Sequence, residues 1–500
     1  MMVSLLARPA LPRVPTMPRD HLRAPIVEAI AAYQEAGTVS FSTPGHKGGA
    51  GFDPALRGLL GETFGAADVW LNTADHDTAL GEAEALAAAA WGAERAFFLT
   101  NGSSGGNHAL LLATVRPGDE VIVGRDLHQS LLTALMLTGA KPVYLTPRLH
   151  PELGLGLGID PGDLAVAIAA HPATKLAVIV SPTYWGVTSD VAALAEVAHQ
   201  RGVALAVDAA WGPHCGFHEA LPPSPLAAGA DAVVTSPHKL LNGLSQAAML
   251  LIRGARIDPA RVASAVTMTR TTSPLLPILA SLDSCRRQLA LEGEVMLGGA
   301  VSLAACARRR LQAIPGVDVL DAERLGLPPE RVDPTRLAID VAGLGMTGSA
   351  AERLLRGRFG IAPEMSDLLG IICLISPADT PSTIDRLVDA MATLAAERGV
   401  RRPLHAPVLR SAAAAATPGV QALTPREAYF ARFRAVPLAE AVGEVSAEAV
   451  TPYPPGMPLL TPGEIVSPAK IDYLCAILAE GLHVRGPADP ALRTLRIVAG

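Results

Sequence analysis

Lys239 stands in TSPHKLLNGLSQ, just after the apolar run DAVVT (Asp231 to Thr235), which reads as a β-strand. A lysine beyond a strand's carboxyl end faces the crevice where α/β proteins bind ligands. Partial desolvation there lowers its pKa, so that a neutral amine can attack an aldehyde. Ser236 and His238 flank it with groups able to meet a phosphate. Upstream, VALAVDAAWGPH carries an apolar strand that ends in Asp208. A carboxylate at that place needs a cationic partner, and it could hold a pyridine nitrogen protonated, making an aromatic ring an electron sink. Taken singly, each residue has a plainer reading, a solvated lysine and a turn or capping aspartate. Together they favour chemistry on a bound ring.

A third element, FFLTNGSSGGNHALLLA, passes from a strand through a Gly/Ser-rich turn, Asn101 to Asn107, into a helix. Amides at the helix start and the hydroxyls of Ser103 and Ser104 could bind a dianion, and glycines such as Gly102 allow close backbone approach. The segment lacks both the Gly-Lys-Ser/Thr of a Walker loop and the Gly-x-Gly-x-x-Gly fingerprint, which argues against nucleotide binding. His128, in GRDLHQSLL, could lie flat on an aromatic ring, although a helix-start or core histidine is the simpler reading. Thr183 and Tyr184, in SPTYWGV, and Trp211, beyond Asp208, also follow strands and are candidate ring neighbours.

These residues need a scaffold, and the sequence describes one. Between about 95 and 252 the runs AFFLT, EVIV, PVYL, LAVIV, VALAV, DAVVT and AAMLLI alternate with amphipathic or turn-rich segments. Most are apolar on both faces, so the expected fold is α/β, a large domain with a mostly parallel doubly wound sheet covered on both sides. Residues 277 to 313 read as one or two long helices. VDVL, TRLAID and IICLI then alternate with helical segments at 347 to 357 and 381 to 398, predicting a smaller α+β domain. A low-complexity stretch bounded by prolines precedes a third unit that contains PYPPGMPLLTPGE. The expected division is an N-terminal arm, 1–20; a large domain with its leading segment, 21–290; a small domain, 291–401; a linker, 402–424; and a C-terminal domain, 425–500.

Composition narrows the classes. Half of the 500 residues are hydrophobic and 18% are charged, as in a well-packed globular protein. A formal charge of -6 without a polybasic groove argues against nucleic acid. The cysteines, Cys215, Cys285, Cys306, Cys373 and Cys475, show neither zinc nor disulfide spacing, so no metal is expected and a reducing cytoplasm fits best. The start of the chain resembles neither a signal peptide nor an anchor. The apolar MLGGAVSLAACA is too short to span a bilayer and runs into Arg308, Arg309 and Arg310, so no membrane is expected.

In this order, STPGHKGG, NGSSGGN, RDLHQS, SPTYWGV, DAAWGPH and SPHKLLNGLSQ resemble the ornithine/lysine/arginine decarboxylase family, joined by SPLLPILASLD and PYPPGMPLLTPGE. The resemblance runs from about residue 20 to the end. It implies a fold type I enzyme of the aspartate-aminotransferase fold, dependent on pyridoxal 5'-phosphate. It makes Lys239 the lysine that holds the cofactor covalently, Asp208 the partner of its pyridinium and His128 the residue stacked on its ring. Gly102, Ser103, Ser104, Ser236 and His238 become phosphate or ring neighbours, with Thr183 and Trp211 near the ring's hydroxyl edge. His46 and Lys47, in the PGHKG loop, are implied to close over an active site, that of a neighbouring subunit included. Glu464 is a candidate for the distal cation of the substrate, an exposed turn glutamate being its plainer reading.

The implied reaction is decarboxylation of a basic amino acid, arginine ahead of lysine and ornithine, with Lys239 or His238 returning a proton. The implied assembly is a homodimer or larger homo-oligomer. Two positions depart from the pattern: Gln129 stands where many members carry Lys, and Ala209 where some carry Glu and others Ser. Both border the ring, where the same electron sink also supports transamination or oxygen-dependent oxidation. A non-catalytic regulator on this fold is a further reading, disfavoured by the presence of both Lys239 and Asp208.

Overall fold

The computed structural model describes residues 20–401, 417–453 and 457–499. The expected arm, 1–20, apart from Asp20, and most of the expected linker, 402–424, lie outside the described residues, as do residues 454–456 of PYPPGMPLLTPGE.

All seven apolar runs form strands of one sheet: β1 (Arg95–Leu99), β2 (Glu120–Gly124), β3 (Lys141–Leu145), β4 (Leu176–Val180), β5 (Ala204–Ala209), β6 (Ala232–Thr235) and β7 (Ala248–Ile252). Their order is β1-β7-β6-β5-β4-β2-β3. Only β7 runs against its neighbours, pairing antiparallel with both β1 and β6. Side chains alternate across the sheet, so each strand feeds two cores. Leu205, Val207 and Ala209 of β5 enter one, with Ala177 and Ile179 of β4. Ala204 and Ala206 enter the other, with Leu176 and Val178. Helices cover both faces, which is why these strands are apolar throughout.

A second sheet, β10-β11-β9-β8, is built from β8 (Asp318–Leu320), β9 (Arg336–Asp340), β10 (Met365–Ser366) and β11 (Gly370–Leu374), and all its pairings are antiparallel. The helix Pro381–Arg398 packs Ile384, Leu387, Met391 and Leu394 into its core. Between the domains lies a single helix, Leu276–Gln312, of 37 residues. Leu279, Leu282, Leu289 and Leu297 serve the large-domain core, and Ala300, Ala304, Ala307 and Leu311 the small one. The expected boundary at 290/291 therefore falls inside a continuous helix, whose residues change core between Leu297 and Ala300. Among the described residues it alone has the length and apolar composition to cross a membrane. Those eight residues are instead buried against protein, and Asp283 and Arg286 form a buried ion pair within it.

The C-terminal unit joins β12 (Phe433–Pro437) to β15 (Thr494–Val498) and β13 (Thr451–Tyr453) to β14 (His483–Arg485), with the helix Pro468–Ala479 packed on them.

Candidate active site

The expected residues emerge from the carboxyl ends of five parallel strands. The first is β1, after which the chain turns at Gly102 (φ 64°) directly into the helix Gly102–Thr114. Ser103 and Ser104 thus sit in the first helical turn, half-buried, and the expected Gly/Ser turn up to Asn107 is helical. Gly106 explains the tight seating. A Cβ there would lie 2.8 Å from Val234 Cγ1 and 2.9 Å from Leu99 Cδ1, so only glycine lets the helix approach β1 and β6 this closely.

Asp208 closes β5 at 3% exposure. Its Oδ2 accepts from Asn107 Nδ2 (2.8 Å) and its Oδ1 from the Ala210 amide (3.1 Å). No cation among the described residues forms an ion pair with it. Asn107 also donates to Ser130 Oγ (2.9 Å), and Ser130 reaches His128 Nδ1 through its hydroxyl (2.9 Å) and its amide (3.2 Å). Because the amide can only donate, Nδ1 is the acceptor and Nε2 carries the proton. Burial lowers the His128 pKa, with Asp208 opposing and Lys239 and His108 assisting, so the ring is neutral. His128 also caps the helix Gln129–Thr138, which fixes its backbone.

Lys239 lies in the short helix Pro237–Leu240 after β6. Its amine rests 3.8 Å from the centroid of the Trp211 ring. Burial lowers its pKa to about 8, Asp208 working the other way. His238 Nδ1 donates to the Ala247 carbonyl (2.8 Å), leaving Nε2 available. Ser236 is fully buried, and its hydroxyl has no hydrogen-bond partner among the described residues. After β4, the Thr183 hydroxyl accepts from the Val187 amide (3.2 Å), and the Tyr184 ring lies against Trp211 (5.3 Å between centroids).

Residues 24–383 match the family described as Orn/Lys/Arg decarboxylase, major domain, and residues 409–486 match that family's C-terminal domain. The chain belongs to the Orn/Lys/Arg decarboxylase family. Among decarboxylases of this family, the arginine decarboxylase of Halalkalibacterium halodurans is 37% identical over 95% of this chain and 98% of its own. The arginine decarboxylase of Bacillus subtilis is also 37% identical, over 95% and 97%. Lysine decarboxylase A from Pseudomonas aeruginosa shares the fold at a TM-score of 0.82 and 23% identity, over 96% of this chain and 81% of that one.

In this decarboxylase, residues that sequence pattern does not mark adjoin the cluster. Arg336, buried at the start of β9, crosses from the small domain to donate to the carbonyls of Tyr184 (3.1 Å) and Trp211 (3.2 Å), with its guanidinium 4.9 Å from the Trp211 ring centroid. It thereby ties together the loops after β4 and β5. Asp333 backs it at 3.6 Å and meets His214 Nε2 at 3.0 Å. Burial opposes the Asp333 charge, but His214 and then Arg336 outweigh it and hold the carboxyl well below the usual range. In TRLAID, Arg336 looks like an edge charge; only the docking of two domains buries it.

His46 and Lys47 do not join this cluster through their described bonds: His46 bonds Asp68 (3.0 Å) and the Gly49 amide (3.0 Å), and the Lys47 amine meets the Ser42 carbonyl. Glu464 requires a correction, because it is 1% exposed and fully engaged. Its carboxylate pairs with Arg125 (3.1 Å) and Lys470 and accepts from the Thr461 amide and hydroxyl (both 3.1 Å) and the Gly419 amide (2.5 Å). Neither the exposed-turn environment nor a free oxygen for a distal cation is present. Glu464 instead locks the C-terminal unit to Arg125, which follows β2.

Burial works against the Glu464 charge, but Arg125 and Lys470 hold its carboxyl below the usual range. The stabilisation is therefore complete above the ordinary glutamate value of about 4.3 and is lost as pH falls through the lowered one. Glu464→Gln leaves two buried cations short of a partner and is expected to cost about 3–5 kcal/mol in chemical denaturation at neutral pH. An unchanged midpoint would contradict this role.

Proposed function

We propose that this decarboxylase uses pyridoxal phosphate to convert a basic amino acid, arginine ahead of lysine and ornithine, into carbon dioxide and the corresponding amine. The observation that carries the reading is the pair formed by Lys239, an amine with its pKa lowered to about 8, and Asp208, a buried carboxylate without an ion-pair partner among the described residues. The arginine decarboxylases at 37% identity over nearly the whole chain support the substrate order.

The residues fit that cofactor. The unpartnered Ser236 hydroxyl and the first turn of the helix Gly102–Thr114, with Ser103 and Ser104, supply donors for a phosphate. Asp208 supplies the negative charge a protonated ring nitrogen requires. The bound cofactor supplies a carbonyl carbon that links to amino groups and a protonated ring that accepts the electron pair left by departing carbon dioxide.

Asn107 and the Ala210 amide fix both Asp208 oxygens, so the carboxylate cannot turn from the nitrogen it serves. The chain from Asn107 through Ser130 to His128 locks that imidazole neutral and in one tautomer, suited to lying flat against a cationic ring. Trp211, held by Arg336, shields the Lys239 amine and limits water. Lys239, poised near neutrality, and His238, through its free Nε2, are the groups that hold the proton returned to the α-carbon.

The reading is tested by supplying arginine, lysine, ornithine, leucine and glutamate to the cofactor-loaded enzyme while carbon dioxide, amine, keto acid and peroxide are followed. Carbon dioxide and amine in equal amounts, with arginine fastest, are expected. Dominant keto acid or peroxide, or preference for glutamate, would overturn it.

We also propose that a second copy of the chain covers residues 38–70 and that His46 and Lys47 act at the partner's site. Phe41 is 95% exposed there, with Val39 and Leu59 also well exposed. A solution mass of one chain for the loaded enzyme would refute that assembly.

A further inference from the structure

Lys239 and Arg336 come from different domains and meet at one indole. The Lys239 amine lies 3.8 Å from the centre of the Trp211 ring, and the Arg336 guanidinium lies 4.9 Å from it. Two cations this close in a dry setting repel each other strongly. Of the two, only the lysine can give up its charge near neutral pH, because a guanidinium stays protonated.

The surroundings leave much of the arginine's charge uncompensated. Arg336 is 2% exposed; its two N–H bonds run to the neutral carbonyls of Tyr184 and Trp211, and its Nε has no partner among the described residues. Among those residues, the carboxylate in ion-pair reach is Asp333, 3.6 Å away, and it is shared. Its Oδ1 accepts from the Thr335 amide and hydroxyl (2.9 and 2.6 Å), and its Oδ2 meets His214 Nε2 (3.0 Å).

The groups facing Lys239 act in both directions. Burial disfavours its protonated form most; Asp208, at the end of β5, and Glu364, just ahead of β10, favour that form, and Arg336 disfavours it. His128 and His238 also face the amine, but burial lowers the pKa of both imidazoles, which leaves them neutral where the lysine titrates. Arg336 is thus the fixed cation of this group.

We propose that Arg336 is a positioning residue for Lys239: the guanidinium of the small domain, held against the same indole, keeps the lysine amine neutral and nucleophilic. Its bonds to the Tyr184 and Trp211 carbonyls then hold a charge in place as well as joining two loops. Asp333 sets how much of that charge Lys239 feels. That the neutral amine goes on to bond a cofactor rests on the function proposed above; the ionisation of Lys239 does not.

The test follows trace acetylation of the whole chain, freed of cofactor, by acetic anhydride over a series of pH values, with peptide mass analysis of Lys239 against the exposed Lys175. Wild-type labelling of Lys239 is expected to titrate at about 8. Arg336→Gln, whose amide can donate to a carbonyl but carries no charge, should move the midpoint up by about one pH unit or more, so that the neutral fraction at neutral pH falls about tenfold. Arg336→Lys restores a cation and should bring the midpoint back toward wild type. Asp333→Asn should move it down, because the arginine loses its counter-charge. Loosened packing that admits water would move Arg336→Gln and Asp333→Asn upward together, so opposite signs separate an electrostatic role from a structural one. An unmoved midpoint in Arg336→Gln, no recovery in Arg336→Lys, or an upward shift in Asp333→Asn would overturn the proposal. Should Arg336→Gln fail to fold, the direction of the Asp333→Asn shift decides the matter alone. A cofactor adduct on another lysine would defeat the proposed function and leave these midpoints standing.

Discussion

Lys239→Ala is expected to lose covalent attachment of the cofactor altogether and to lower turnover by about 10⁴-fold or more, the scale seen when a group at the centre of covalent chemistry is removed. The physical reason is local. The Lys239 amine sits against the Trp211 ring with its pKa lowered to about 8, so near neutrality a usable fraction is uncharged and nucleophilic. An unperturbed lysine near 10.4 would be almost wholly protonated. Incorporation of pyridoxal phosphate into cofactor-free wild-type enzyme should therefore accelerate as pH rises through about 8 and level off above it. Borohydride reduction followed by peptide mass analysis should place the adduct on Lys239, and an adduct elsewhere would remove the residue from its role. Lys239→Arg should fail as well, because a guanidinium stays protonated throughout this range.

Asp208→Asn should retain part of its cofactor and lower kcat by about 10²–10³-fold, the usual cost of removing one preorganised electrostatic group from a dry site. The amide preserves shape, and its oxygen can keep one of the two bonds from Asn107 and Ala210, but it brings no charge to hold a ring nitrogen protonated. Binding and chemistry should thus separate: the KM for the best substrate moves little while kcat falls. Near-wild-type kcat would show that another group serves the ring. Asn107→Ala offers a graded control, because it frees Asp208 Oδ2 and the Ser130–His128 chain together and should give a smaller loss with the same sign.

The large sheet was legible because every strand but the edge strand β3 is largely buried on both faces, and seven short apolar runs from 95 to 252 leave few other folds. The placement of Lys239, Asp208 and His128 at the carboxyl ends of strands was legible for the related reason that each follows such a run. Other features depend on contacts between distant segments, and sequence pattern carries no mark of them. Arg336 reads as a strand-edge charge until the small domain docks and its guanidinium reaches two carbonyls of the large one. Glu464 reads as a turn residue until Arg125 and Lys470 converge on it. The leading helices, Pro25–Glu35, Pro54–Ala67 and Thr73–Trp91, escaped pattern reading too. The helix Thr73–Trp91 is alanine-rich and buries small side chains such as Ala79, Ala83 and Ala87, giving little contrast between its faces.

The helix Leu276–Gln312 has a mechanical side. At about 1.5 Å per residue its 37 residues form a splint of about 55 Å, rooted at one end in the large domain and at the other in the small. Two bodies clamped to one unbroken rod cannot swing like the halves of a hinge without bending the rod or shearing a core, and neither deformation is cheap in a close-packed interior. The scaffold thus resists opening between its two domains, and movement around Lys239 is expected in the loops that follow the strands rather than in the domains as bodies.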